Sequence, residues 1–333
     1  MGKLASDELR KLLDCIKRDS RVIVPPSPGF DSGVHLLGDK YVVVSTDPCI
    51  GVPEEWFGWL LINYAASDVA LFGAKPEFCT INLLGPVSSE PRLFKLVLEQ
   101  ACSAADELGI AIVTGHTGMY DGLSQLVGVC TAYGTVEKEN LITPSDAKAE
   151  DLILCTRPVG LEVLVNFSLM NKALAQKLFG AVQAEKLAGL VRMQSCVKEA
   201  LQLAKIDGVH AMHDATEGGL VAALNEMASA SDLGFNVAFE KIPVSPEARK
   251  LQERFNLSDE QVLSMSSTGT ILAAVDAQAK MHVENVLREN GVNPSFLGVF
   301  TKSKNRVLIR NGKSISFPQV ADDPYERSLS AKV

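Results

Sequence analysis

The sequence predicts an α/β or α+β fold with mixed sheets, arranged as two domains. Three observations carry that expectation. Short apolar, β-branched runs alternate with segments of helical periodicity, the order found in layered α/β domains. The 333 residues are 47% hydrophobic and 22% charged, enough apolar material for a sizeable core at a length that favours two domains over one. Near residue 150 the pattern restarts, with Pro144, Ser145 and Asp146 clustered ahead of a new apolar strand, so the expected domains are residues 1–150 and 151–333.

The first stretch, MGKLASDELRKLLDCIKRDS, reads as an amphipathic helix with charges throughout, and it lacks the uninterrupted apolar core of a secretory signal. In PPSPGFDSGVHLLGDKY, the prolines stiffen the chain ahead of Asp31, and Gly33 leaves room for close approach to the main chain; a surface turn and a ligand loop both fit. YVVVSTD is a buried strand that Pro48 is expected to end, setting Thr46 and Asp47 just past it, where α/β proteins gather ligand contacts. A carboxylate beside a hydroxyl suits a hydrated magnesium ion and equally an Asx-type turn.

WFGWLLINYAASDVALFG has helical periodicity and sets Asp68 among apolar or small neighbours. A buried carboxylate is costly unless satisfied, and Asn63 or a metal ion is the expected partner. After the breaker GAKP, EFCTINLL returns to strand and completes a β-α-β order. A helix from about Glu90 to Leu108 precedes the strand IAIVTG. The following GHTG places His116 and Thr117 between glycines, with Asp121 nearby. As a loop it would offer an anion nest of backbone amides and an imidazole able to donate to phosphate or act as a base; a purely structural histidine is the competing reading. SQLVGVCTAYGTV is a further strand with a Gly-weakened middle.

The second half reads as a strand around LILC, a long helical stretch through Ala204, HDATEGGLVAALNEMA, strands in GFNVAFEKIPV and GTILAAVD, another helix, and the strand SFLGVF. RVLIRNGKSISF closes on a hairpin signal at Asn311-Gly312. HDATEGG is unusually polar for a helix start. Asp214 and Glu217 have the spacing of a capping box, which leaves Thr216, Gly218 and Gly219 unexplained; each glycine lowers helix propensity by about 1 kcal/mol relative to alanine. His210 and His213, three apart with no further clustered ligand, argue against a transition-metal centre.

A net charge of −8 supplies no basic field for nucleic acid or an anionic membrane surface, so neither is an expected partner. A phosphate substrate would need a cation bridging it to acidic side chains. The seven cysteines are scattered with no CxxC pair, which fits a reduced cytoplasmic setting. No run approaches the roughly twenty apolar residues of a membrane span.

In order, FDSGVHLLGDKYVVVSTDP, NYAASDVALFGAKP, GHTG, HDATEGGLVAALNEMA and SSTGTILAAV resemble, over about residues 5–318, the superfamily of aminoimidazole ribonucleotide synthetase. That superfamily includes thiamine monophosphate kinase, selenophosphate synthetase and the HypE-type hydrogenase maturation proteins, the last being nearest in wording. The resemblance implies a PurM-like two-domain fold whose N-terminal sheet forms a barrel with that of a second subunit. It also implies ATP and Mg2+ near the homodimer interface, and phosphorylation of an oxygen on a small-molecule or carrier-bound substrate. By position it makes Asp31, Asp47 and Asp68 the magnesium carboxylates, with Thr46 beside them. Thr117 becomes a nucleotide contact, and Asp214 and His116 become the catalytic candidates, Asp214 facing substrate or metal.

Two departures stand out. Phe30-Asp31 occupies a place where relatives often carry paired acids, and His116 stands where several have an acid, trading a metal ligand for a phosphate contact. HypE-type chemistry also uses a cysteine at the extreme C-terminus, whereas this sequence ends DDPYERSLSAKV and its last cysteine is Cys196; cyanide-ligand synthesis in the standard way is therefore not expected. Two function classes follow: an ATP-dependent phosphoryl-transfer enzyme, or a catalytically weak nucleotide-binding paralogue acting as a regulatory or maturation partner.

Overall fold

A computed structural model describes Leu4 and residues 6–330; the last three residues of the DDPYERSLSAKV ending lie outside that range. The chain divides into two compact units. One comprises Ile16–Pro26 and Phe30–Leu141, the other the segment through Cys15, Ser27–Gly29 and Ile142 onward. Helix α1 (Ser6–Leu13) opens the described chain.

The first unit is built from β1 (Val22–Val24), β2 (Gly33–Leu37), β3 (Lys40–Cys49), α2 (Phe57–Leu71), β4 (Phe78–Pro86), α3 (Pro91–Leu108), β5 (Ala111–Tyr120) and β6 (Val127–Val136). Its sheet runs β1-β2-β3-β6-β4-β5, antiparallel except for β4 and β5, which α3 joins as a parallel crossover. The sheet is open, with β1 and β5 as its edges. Along β6, Gly128, Cys130, Ala132, Gly134 and Val136 are buried while the alternate residues are half-buried, so one face is covered and the other only partly. Helix α2 lies against β3, β6 and α3 and is buried at every position except Tyr64, which carries Asp68 inside with it.

Two local expectations are corrected in this unit. Pro48 does not end β3: the strand pairs with β6 through Cys49, whereas its pairing with β2 stops at Val44, so Pro48 sits in an edge segment where a missing N–H is tolerated. GHTG is not a loop either. It lies inside β5, whose backbone pairs with β4 from Ala111 to Tyr120, and a side chain at Gly115 would strike the Ile81 carbonyl of β4. The glycines therefore mark close strand approach, and an extended strand does not curl its successive amides into an anion nest.

The second unit contains β7 (Leu152–Cys155), α4 (Leu161–Met170), α5 (Lys172–Phe179), α6 (Ala181–Ala188), α7 (Val197–Leu203), β8 (Val209–Asp214) and α8 (Gly219–Ala230). There follow β9 (Gly234–Ala238), α9 (Pro246–Phe255), α10 (Asp259–Leu263), β10 (Ile271–Val275), α11 (Lys280–Glu289), β11 (Ser295–Thr301), β12 (Arg306–Arg310), β13 (Lys313–Ser316) and α12 (Tyr325–Leu329). Strand order is β13-β12-β9-β11-β7-β10-β8, mixed through the parallel pair β9/β12. Ile153, Phe235, Leu272, Phe300 and Phe317 anchor the core on the sheet, and Phe167, Phe179, Leu251 and Met265 a second core among the helices. The stretch expected as one long helix is four, broken at Asn171, at Gly180 and by a tight turn at Val191–Gln194. At the β12–β13 hairpin, Asn311 and Gly312 have φ of 50° and 73°, the left-handed pair that a two-residue type I′ turn requires.

Candidate functional site

In the first unit, β3 and α2 together define a polar cluster. Side chains alternate along a strand, so Ser45 and Asp47 face α2 while Thr46 faces the partly open side. The Ser45 hydroxyl donates to Asp68 Oδ2 at 2.7 Å, and this bond satisfies a carboxylate only 7% exposed. Asn63 Nδ2 donates to the Trp59 carbonyl within α2. Asp47 is half-buried opposite Cys130, whose thiol is pushed up by its hydrogen bond with Cys79 and by burial, with the Asp47 charge contributing. On the other face, the hydroxyls of Thr46 and Thr131 are 2.9 Å apart across β3 and β6.

Asp31 lies in a bend two residues ahead of β2, beyond the β2–β3 pairing that ends at Gly33 and Val44. The end of β3 and the side of α2 that faces it thus carry Thr46, Asp47 and Asp68. His116 and Thr117 stand apart. His116 pairs with Asn82, Asn82 with Val129 and Val129 with Pro48, so three strand spacings, about 14 Å, separate His116 from the β3 cluster in this unit. Both residues are exposed on edge strand β5, where His116 Nε2 lies 2.6 Å from the Tyr120 hydroxyl.

In the second unit, Asp214 closes β8 and is 2% exposed, with the Thr216 hydroxyl donating to its Oδ1 at 3.4 Å. The expected capping box is absent. Gly218 and Gly219 have φ of 79° and 53°, and their turn, closed by the Gly219 amide on the Thr216 carbonyl, delays α8 until residue 219. The amide of Gly218 donates instead to Asp323 Oδ2 at 3.1 Å. Packing explains the double glycine: a side chain at 218 would lie 2.8 Å from Ala222 and Ala321, and one at 219 would meet the main-chain carbonyls of Met265 and Leu263.

His210 and His213 point to opposite faces of β8, as residues three apart on a strand must. His210 Nδ1 reaches Asp151 at 2.9 Å, while His213 Nε2 lies 3.1 Å from Glu226 Oε2 and its Nδ1 2.8 Å from the Asp214 carbonyl oxygen. Sequence reading passed over Ser45, Tyr120, Glu226 and Asp323. Strand parity could have found Ser45 and Tyr120, which share a face with Asp47 and His116. Nothing local signals Asp323.

A two-domain α/β protein with a carboxylate and hydroxyl cluster at one sheet end is the class that this geometry defines. The chain matches the models of the AIR synthase related protein family, the N-terminal domain over residues 29–136 and the C-terminal domain over 148–311, and it belongs to that family. A hydrogenase expression/formation protein of Methanocaldococcus jannaschii is 26% identical over 289 residues, covering 84% of this chain and 82% of the relative. Carbamoyl dehydratase HypE of Bradyrhizobium diazoefficiens is 29% identical over 257 residues, covering 75% and 71%. Selenide, water dikinase of a Sulfurovum species is 28% identical over 259 residues, covering 75% and 72%. Among solved structures, the hydrogenase maturation protein HypE of E. coli has a TM-score of 0.74 at 24% identity, covering 86% of this chain and 88% of that one. A HypE structure in complex with ATP has a TM-score of 0.72 at 19% identity, covering 95% and 91%.

Proposed function

We propose that this protein binds Mg-ATP and transfers its terminal phosphoryl group to an oxygen acceptor. Residues up to about 150 form the nucleotide-binding and dimerisation domain, and residues 151–333 the substrate-facing domain. The observation that carries the reading is the cluster between β3 and α2: Asp47 on the α2-facing side of β3, Asp68 on α2 bonded to Ser45, and Thr46 next to both strand residues in sequence. Its donors are carboxylate and hydroxyl oxygens, the set a small hard cation prefers, so the residues fit magnesium. Asp31, Asp47 and Asp68 would hold the ion, which when bound neutralises phosphate charge. Thr46 and Thr117 contact the nucleotide, His116 donates to phosphate, and Asp214 faces the acceptor. The relative whose structure holds ATP, and the dikinase named among the curated relatives, support a nucleotide-using enzyme.

The homodimer is part of the same proposal. Edge strand β5 is exposed through Val113, Met119 and Tyr120, and the sheet face carrying Thr46, Thr131 and Thr80 is only partly covered, so a second copy's sheet could close a barrel there. A partner strand would bring a second His116 into play without requiring it to reach Asp47 within its own unit. A cytoplasmic location is proposed from the seven reduced cysteines; among the described residues no helix is long and apolar enough to cross a membrane.

The test is calorimetric titration with ATP, with and without magnesium, paired with a hydrolysis and transfer assay across oxygen-bearing acceptors. Asp47→Asn is expected to weaken magnesium-dependent ATP binding by roughly 10- to 100-fold and to lower turnover as well. Tight ATP binding with no turnover, and an Asp47→Asn variant that alters binding alone, would leave the regulatory or maturation-partner paralogue standing. The thinned first loop at Asp31 and the histidine at 116 favour testing that alternative directly.

A further inference from the structure

The segment that follows β13 lies on its own unit's Asp214 turn. Phe317 is buried in the core, and Asn225 Nδ2 donates to the Pro318 carbonyl at 2.8 Å. Further along, Gln261 Nε2 donates to Asp322 at 2.7 Å, Asn166 Nδ2 to the Tyr325 hydroxyl at 2.9 Å and Asn171 Nδ2 to the Leu329 carbonyl at 2.9 Å. Asp323 differs in kind, because it sits on the amide that opens α8. Its Oδ2 accepts from Gly218, its Oδ1 from the Tyr325 amide at 2.9 Å, and the Ser266 amide also donates to it.

That carboxyl has an unfavourable setting for charge. Burial pushes it up to about 6, the amide bonds of Gly218 and Tyr325 oppose the rise, and the nearby charge of Glu162 adds to it. The ionisable groups around it are Glu162 on α4, Glu217 one residue before Gly218, and Asp322 on its own segment, which turns to Gln261. The 264–270 segment contributes the neutral Ser266 amide, and its Ser266 and Thr268 hydroxyls donate to Glu162 at 2.5 Å each.

We propose that residues 317–329 form a latch on the Asp214 turn, closed by the Asp323 carboxyl on Gly218 and Ser266, and held more tightly when that carboxyl is protonated. In the open state the carboxyl returns to water and ionises freely, whereas in the closed state ionisation meets burial and Glu162. Acid therefore closes the latch and alkali loosens it, freeing the amides at the start of α8. The latch itself stands on contacts within one unit; its bearing on substrate handling rests on the role proposed for Asp214.

Backbone amide hydrogen exchange on the full chain, corrected for intrinsic rates, tests this without an activity readout. In the wild type, protection of Gly218 and of residues 317–329 is expected to be roughly 30-fold lower at about pH 7.5 than at about pH 4.5. Asp323→Asn keeps an acceptor but cannot ionise, and its protection in the same segments is expected to show no such dependence. Equal pH dependence in the two proteins overturns the proposal. Should Asp323→Asn fail to fold, Glu162→Gln decides: the midpoint moves to lower pH if the latch is as described, and an unchanged midpoint overturns it.

Discussion

Gly219→Ala tests whether the double glycine of HDATEGG is there for packing or for ligand access. Gly219 has φ of 53°, a left-handed conformation that costs a residue with a Cβ about 1–2 kcal/mol. The added Cβ would also meet two main-chain carbonyls, those of Met265 and, at 2.9 Å, Leu263, neither of which can rotate away. Overpacking against such atoms costs about 1–3 kcal/mol more, so the total is about 2–5 kcal/mol. Gly291→Ala in the same unit is the control: its φ is 76°, but nothing lies within 4 Å of the new Cβ, and only the conformational cost of about 1–2 kcal/mol applies. For a unit of this size the difference is large enough to read as a melting temperature. Gly219→Ala is expected to lower Tm by roughly 5–15 °C and Gly291→Ala by roughly 2–6 °C, both measured by far-ultraviolet circular dichroism without ligand. If Gly219→Ala melts with or above the control, the packing explanation is wrong and the glycine must serve an approaching ligand instead.

Arg157 and Glu199 form a buried ion pair, with Arg157 also donating to the Gly269 carbonyl. Arg157→Ala should therefore cost about 3–5 kcal/mol in chemical denaturation, while an Arg157→Met, Glu199→Leu double variant should recover most of it, since breaking a buried pair is costlier than replacing it. A thiol-alkylating reagent applied to the folded chain should label Cys15 and Cys102 only; the other five cysteines are buried, and burial pushes the Cys155 thiol up to about 12. Mass spectrometry showing fast labelling at Cys79 or Cys130 would contradict the burial of the sheet's α2-facing side. Asp323, at about 6 folded against the ordinary aspartate value of 3.8, contributes stability that is fully present below 3.8 and lost as pH rises through 6. Thermal unfolding should accordingly show up to about 3 kcal/mol of loss between about pH 4 and pH 7 that Asp323→Asn lacks, and identical profiles would count against the buried setting of that carboxyl.

Much of the fold was legible because the residues that make it are local. YVVVSTD and EFCTINLL became β3 and β4, the apolar run around Asp68 became α2, and Asn311-Gly312 turned the hairpin, each through a period or a turn preference contained in a few residues. The failures share a physical cause, which is that the deciding partner is distant in sequence. GHTG reads as a loop until the Ile81 carbonyl is known to lie against Gly115. Pro48 reads as a strand end until β6 is seen to continue alone beside it. Asp214 and Glu217 read as a capping box because the actual acceptor for the Gly218 amide, Asp323, lies 105 residues away. Asp68 was correctly singled out as needing a partner, but Ser45 lies 23 residues upstream on another element.

The same distinction separates polar residues that the fold accounts for from those that it leaves for chemistry. Gly218 and Gly219 are accounted for by the neighbours that a side chain would strike, and His210 by Asp151. Ser45 is accounted for by Asp68, and a leucine pair would fill the same space under α2 without burying a charge. Retaining a carboxylate there, bonded to the serine two positions before half-buried Asp47 on β3, makes sense where a cation approaches that end of the sheet. Asp68→Asn should then weaken magnesium-dependent nucleotide binding while leaving folding intact, because the amide keeps an acceptor for Ser45. A variant that melts early yet binds Mg-ATP normally would make Asp68 a packing residue and shift the burden of the site onto Asp47 and Thr46.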